Sequence, residues 1–263
     1  MEPGTFGEPV KEEAVEEKVE AKSFFARLGG VYFSPREAFT EIGHAPRLVI
    51  PIIALVLISV FSGWYLAQKI DTRAAMRTQM EQAVKQGRIT EEQMDQQIAL
   101  VAAVAGPLIA VVSGVSTLAL CLIVAGYGKL FSIIGGSENG FKSLLAVSVY
   151  AMLAISVVTA VLLIIILQIK GRGYMGAADL SSVIASNLGS WIESVAGADV
   201  LPKFIMGLAK AVDIFNIWII SLLSIGFSAV SKKLKTSTAA VWLGGAYVIF
   251  SIINAAVRSV TGA

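Results

Sequence analysis

Read for its apolar and polar positions, the chain is a series of long hydrophobic runs joined by short charged connections. A bilayer core about 30 Å thick needs roughly 20 apolar residues in a helix, because lipid offers no partner to an unpaired peptide group. Spans are predicted at about 48–68, 102–125, 144–169, 212–230 and 239–257. The second lies in a longer apolar stretch, 98–136, read as one tilted helix; a turn near Gly114 would instead make it a hairpin and raise the total to six. The fold class is all-α, a polytopic membrane helix bundle of about five transmembrane helices with amphipathic surface helices. Residues 1–22 read as an acidic disordered tail, 23–47 as an amphipathic pre-span segment, 48–257 as the transmembrane domain and 258–263 as a short C-terminal tail.

The polar connections carry helix signals of their own. Before the first span, Ser34 precedes Pro35, and Glu37 stands three residues after Ser34, which predicts an N-cap, a proline at N1 and a capping box. Gly43 reads as the stop of that helix. Its apolar residues Ala38, Phe39 and Ile42 suit either a membrane surface or the end of the bundle. Residues 69–97 alternate charge signs around Gly87, with a second capping box at Thr90 and Gln93, and predict a helical hairpin in water. In 171–204, Asp179 reads as an N-cap, followed by an apolar face of Leu180, Val183, Ile184 and Leu188, with Trp191 as an interfacial anchor.

Composition agrees with a bilayer protein: charged residues are only 15% and mean hydropathy is +0.74. The formal charge of +2 leaves no basic surface for nucleic acid. Cys121 is the single cysteine, so neither an intrachain disulfide nor a cysteine zinc cluster is available. The N-terminus is acidic where a secretory signal is basic. Lysines and arginines concentrated in the short connections place the N-terminus in the cytoplasm.

Candidate chemistry is sparse. Ala102, Gly106, Ala110 and Gly114 recur every four residues and form a strip for close helix contact, with Pro107 as a kink beside it. Lys210, Asp213, Asn216, Asn254 and Arg258 gather at the outer ends of the last two spans, where Lys210 is spaced to pair with Asp213. That cluster reads as a fastening of helix ends or as a site for an ion or headgroup. His44 is the sole histidine and has no partners for a triad or a metal pair. The glycines of 133–141 (IIGGSENGF) lack the Walker spacing and read as a turn. No catalytic residue, cofactor or metal site is predicted.

Three features together resemble the Yip1 domain family, in particular its bacterial branch. They are 27–42 (RLGGVYFSPREAFTEI) ahead of the first span, the link 126–151 (GYGKLFSIIGGSENGFKSLLAVSVYA), and the unequal set of about five helices. The resemblance covers roughly 24–257 and implies a cytoplasmic N-terminus and a five-helix bundle. In the eukaryotic branch it also implies traffic work through Rab GTPases, but the DLYGP motif associated with those proteins does not occur here. The resulting expectation is a non-enzymatic scaffold or adaptor in membrane organisation; the alternative is a permease, channel or lipid-handling protein. Expected partners are membrane lipid, unidentified membrane or cytoplasmic proteins and a second copy of the chain. The expected location is a bacterial inner membrane, or an endomembrane in a eukaryote.

Overall fold

The computed structural model describes residues 22–69, 71–137, 139–169, 183–197, 200–231 and 233–261. The acidic tail up to residue 21, Asp179 and Leu180 lie outside that set. The described chain is helical: α1 (Phe24–Phe33), α2 (Pro35–His44), α3 (Val49–Ala67), α4 (Thr72–Lys85), α5 (Glu91–Ile134), α6 (Phe141–Ile169), α7 (Leu188–Ala196), α8 (Lys203–Ala211), α9 (Ile214–Ala229) and α10 (Thr236–Thr261). Four of these, α3, α5, α6 and α10, are long and apolar enough to cross a membrane. The helix α9, at 16 residues, is only about 24 Å long.

The connections define two faces. Ser137, between α5 and α6, meets Ser231, between α9 and α10, and Ser143 donates to the Gly43 carbonyl at 2.8 Å, so these loops and the end of α2 share the near face. The charged hairpin and α7 belong to the far side. Thr90 and Gln93 cap α5 reciprocally, at 3.2 and 3.0 Å, as the sequence predicts. The turn before them uses Gly87 at φ +67°, and Arg77 of α4 binds Asp95 of α5 at 2.7 Å. The helix α5 runs unbroken through Pro107 and Gly114, so the predicted single tilted helix describes it better than a hairpin does.

The pre-span segment differs from expectation in its detail. Ser34 makes no side-chain cap. Its N–H donates to Gly30 and its carbonyl accepts from Ala38, so one residue ends α1 and begins α2, and its ψ of 61° is far from the extended geometry a capping side chain needs. Glu37 is exposed, and no capping box forms. Gly43 does not stop α2, which continues to His44; its missing side chain lets α2 approach Val230 closely. The apolar face of α2 enters the bundle: Ala38, Phe39 and Ile42 are buried together with Leu144, Val147, Leu222 and Phe227. In α1, Tyr32 donates to the Ala154 carbonyl at 2.6 Å, while Phe25 and Phe33 stay exposed. The α1–α2 pair is therefore wedged against α6 and α9, with aromatic side chains left facing outward.

Candidate functional site

The most polar constellation inside the bundle lies where α8 gives way to α9. Asp213 accepts from the N–H groups of Phe215 and Asn216, at 2.8 and 3.3 Å, and so caps α9. Its second carboxylate oxygen accepts from the Ser186 hydroxyl. A short bridge pairs Asn187 with Asp213, through Leu188 N–H to Val212 at 2.9 Å and Ile214 N–H to Ser186 at 3.2 Å. Asn187 caps α7 through Ser190 N–H at 2.8 Å. Two helix N-termini thus converge here, and the Asp213 carboxylate offsets the partial positive charge of both.

Hydrogen bonds tie this break to α10. Asn216 donates to the Tyr247 hydroxyl at 2.8 Å, and Tyr247 donates to the Ala211 carbonyl at 2.7 Å. Tyr247 lies near the middle of α10, and Trp218, two residues beyond Asn216, makes a tilted ring contact with Tyr32, which is bonded to the middle of α6 at Ala154. Asp213 and Asn216 are half-buried at the start of α9, with Asn216 turned to α10. Ahead of α9, the helix α8 packs on α10, where Gly207 lies against Ala255. Backbone groups freed at Ala211 and Val212 find partners in Tyr247 and Leu188, as irregular backbone inside a membrane protein requires.

Of the predicted polar cluster, only part assembles. Lys210 pairs with Glu193 of α7 at 2.7 Å and not with Asp213, because α8 ends between them and turns their side chains apart. Asn254 and Arg258 are exposed on α10 and join neither group. Glu193, Ser186 and Tyr247 were missed. The usable signal was Tyr247 itself, a phenol in mid-span that needs a hydrogen-bond partner.

The predicted small-residue strip is half used. Gly114 is buried against α3, where an added Cβ would lie 2.8 Å from Val60, and Ala110 is buried nearby. Gly63 of α3 answers it, so close to α5 that an added Cβ would lie 2.9 Å from Ser113 Cβ. Gly106 meets only the Gln68 side chain, at 3.7 Å, and Ala102 is only half-buried, because α3 ends at Ala67. Pro107 is exposed on the other side. Above this seam a crevice of about 260 Å³ opens between α3, α5 and α6, lined by Ser59, Ser62, Ser113, Thr117, Ser156 and Thr159 among others. Ser113, Thr117 and Thr159 each donate to a carbonyl one turn back, at 2.7, 2.8 and 3.0 Å, which keeps their protons paired in an apolar setting.

At the near end, Arg27 is 1% exposed, donates to the Ala45 carbonyl at 2.8 Å and lies 3.3 Å from the Glu41 carboxylate, which also holds Lys22. This knot ties α1 to the end of α2. Among the described residues no group of three or more His, Cys, Asp or Glu side chains could hold a metal.

Four helices long and apolar enough to cross a membrane, joined by capped connections, define a multispanning integral membrane protein. A family model of the Yip1 domain matches residues 29–257, and the chain belongs to that family. No curated protein and no solved structure matches it.

Proposed function

We propose that this Yip1-family protein is a non-enzymatic membrane scaffold or adaptor. The observation that carries the reading is the way polar groups on neighbouring helices bind one another: Asp213 with Ser186, Asn216 with Tyr247, and Lys210 with Glu193. Groups held in this way fix helix ends and geometry. The Yip1 family is generally non-enzymatic, which supports the same reading. On this reading the N-terminus lies in the cytoplasm, the side favoured by the lysines and arginines of the short connections. Partners are membrane or cytoplasmic proteins, or a second copy of the chain.

Crosslinking in native membranes, gentle solubilisation and mass spectrometry test this, comparing the full chain with one lacking Met1 to Lys22. A reproducible partner at near-equal stoichiometry supports the scaffold; recovery of single, unpartnered chains overturns it. Loss of the partner on truncation assigns the contact to the acidic segment.

The crevice between α3, α5 and α6, which carries six hydroxyl side chains on an otherwise apolar wall, favours a second reading, a permease or lipid-handling protein. Flux or lipid scrambling in liposomes containing the protein, reduced by Thr159→Leu, supports that reading. Rates equal to those of empty liposomes rule it out.

A further inference from the structure

The crevice between α3, α5 and α6 does not end at its hydroxyls. It shares Ser62, Leu66, Thr159 and Leu163 with a second cavity of about 230 Å³, which reaches Val183 and Ile184. The two are arms of one groove, and together they fall within the range of about 300–1,000 Å³ usual for a small-molecule site. Val183 packs with Leu163 and Leu167, so the second arm has an apolar end. Among the described residues, no charged side chain lines either arm.

The hydroxyls fall into two sets. Ser113, Thr117 and Thr159 donate to carbonyls one turn back. Ser59, Ser62 and Ser156 make no such bond, and among the described residues none of the three has a hydrogen-bond partner for its hydroxyl. Ser59 decides the reading. It is only 9% exposed, and the side-chain atoms sealed in protein without a partner belong to Arg27 and Ser190, so the Ser59 oxygen keeps its access through the crevice that it lines. Counted from Val49 it lies about 15 Å along α3, half the thickness of an apolar layer of about 30 Å. Water is scarce at that depth, and an unpaired hydroxyl there is costly.

A hydroxyl offers one donor and two acceptor lone pairs, and so is matched by a group of the same kind. A phosphate or an ammonium in this groove would meet no counter-charge, and its desolvation would go uncompensated. We propose that the groove binds a neutral, hydroxyl-bearing lipid. The lipid hydroxyl is held by Ser59 and Ser62 of α3 and Ser156 of α6, and its hydrocarbon follows the arm of Leu66, Leu163, Val183 and Ile184. The proposal rests on the lipid-handling reading and deepens it by naming the lipid class; binding itself requires no net transport.

The test uses the full-length protein in phosphatidylcholine liposomes and a hexadecanol carrying a mid-chain diazirine. Photolabelled peptides are mapped by mass spectrometry, with unlabelled hexadecanol, hexadecane and hexadecyl phosphate as competitors. Saturable labelling of the groove-lining peptides of α3, α5 and α6, displaced by hexadecanol far better than by the other two, is the expected result. Ser59→Ala combined with Ser62→Ala should weaken that displacement about tenfold, the order of one or two neutral hydrogen bonds. The melting temperature should not move, because neither hydroxyl has an internal partner to lose. Ser221→Ala, which removes a hydroxyl bonded to the Ile217 carbonyl on α9, is the control and should leave displacement unchanged. Labelling spread over every lipid-facing helix, equal displacement by hexadecane, or displacement unchanged in the double variant overturns the proposal. Site-specific labelling with flux no faster than in empty liposomes keeps the proposal and removes the transport reading. Flux reduced by Thr159→Leu without site-specific labelling does the reverse.

Discussion

Gly226 provides the sharpest test of how the bundle holds its N-terminal wedge. It lies where α2, α6 and α9 meet, and a Cβ built on it would lie 3.1 and 3.2 Å from Phe39 Cγ and Cδ2 and closer still to Val147 Cγ1. Carbon contacts are comfortable at about 3.5–4.0 Å. Phe39 and Val147 are both 0% exposed, and β-branched Val147 is stiff at χ1 in a helix, so neither can turn aside. Gly226→Ala should therefore incur the upper part of the overpacking range, about 3 kcal/mol, less the roughly 1 kcal/mol that alanine gains over glycine in a helix. The net loss of about 2 kcal/mol corresponds to a fall in melting temperature of roughly 4–8 °C for a chain of this size. Unfolding in dodecyl maltoside, followed by tryptophan fluorescence, measures it. Gly244→Ala is the control, since nothing lies within 4 Å of an added Cβ there, and it should be neutral or slightly stabilising. The double variant Gly226→Ala with Val147→Ala should melt above the sum of the single effects by at least about 1 kcal/mol of coupling. A Gly226→Ala protein that melts with the wild type, or single effects that simply add, would refute the three-helix contact as drawn.

Three further expectations are simpler. Arg27→Ala should lower stability by about 2 kcal/mol, below the usual range for a broken buried pair because Glu41 keeps some access to solvent and still holds Lys22; proteolysis within α1 reads the loosened wedge directly. Asp213→Ala removes the cap of α9 and the partner of Ser186, and should cost about 1–2 kcal/mol in chemical unfolding, whereas Asn254→Ala, on the exposed face of α10, should cost almost nothing. Burial raises the Tyr32 phenol above the ordinary tyrosine range, so the unfolded chain loses its proton first. Stability from this group is then complete below about pH 10 and falls as pH rises through the folded value, and Tyr32→Phe should flatten that alkaline limb in a pH series of melting curves.

The apolar runs announced the spans because their period and length are dictated by lipid, and the same physics made Thr90 and Gln93 readable as a cap. What escaped was set by contacts between distant segments. Ser34 has the neighbours of a capping residue but shares its backbone with the end of α1, which no local pattern records. Asp213 was recognisable as the start of a helix, yet its surroundings depend on α8 running alongside α10, with Gly207 close enough to Ala255 that an added Cβ would lie 3.2 Å from its Cα. The strip of small residues on α5 was visible, but its used length is decided by where α3 ends. Lys210 was matched with the nearest acid in sequence, while its actual partner, Glu193, lies across the α7–α8 turn.

The 44-residue length of α5 has a mechanical consequence. It is a single rod of about 66 Å that joins the charged hairpin on one side of the bundle to Lys129 and the polar loop on the other. One close contact with α3, at Gly114, is placed like a fulcrum, about 35 Å from Glu91 and about 30 Å from Ile134. A tilt of about 5° about that point carries the two ends roughly 3 Å in opposite directions. A load applied to the hairpin would then reach the loop at the opposite surface reversed in sign, to the extent that the packing of α5 on α3 and α6 lets the rod pivot.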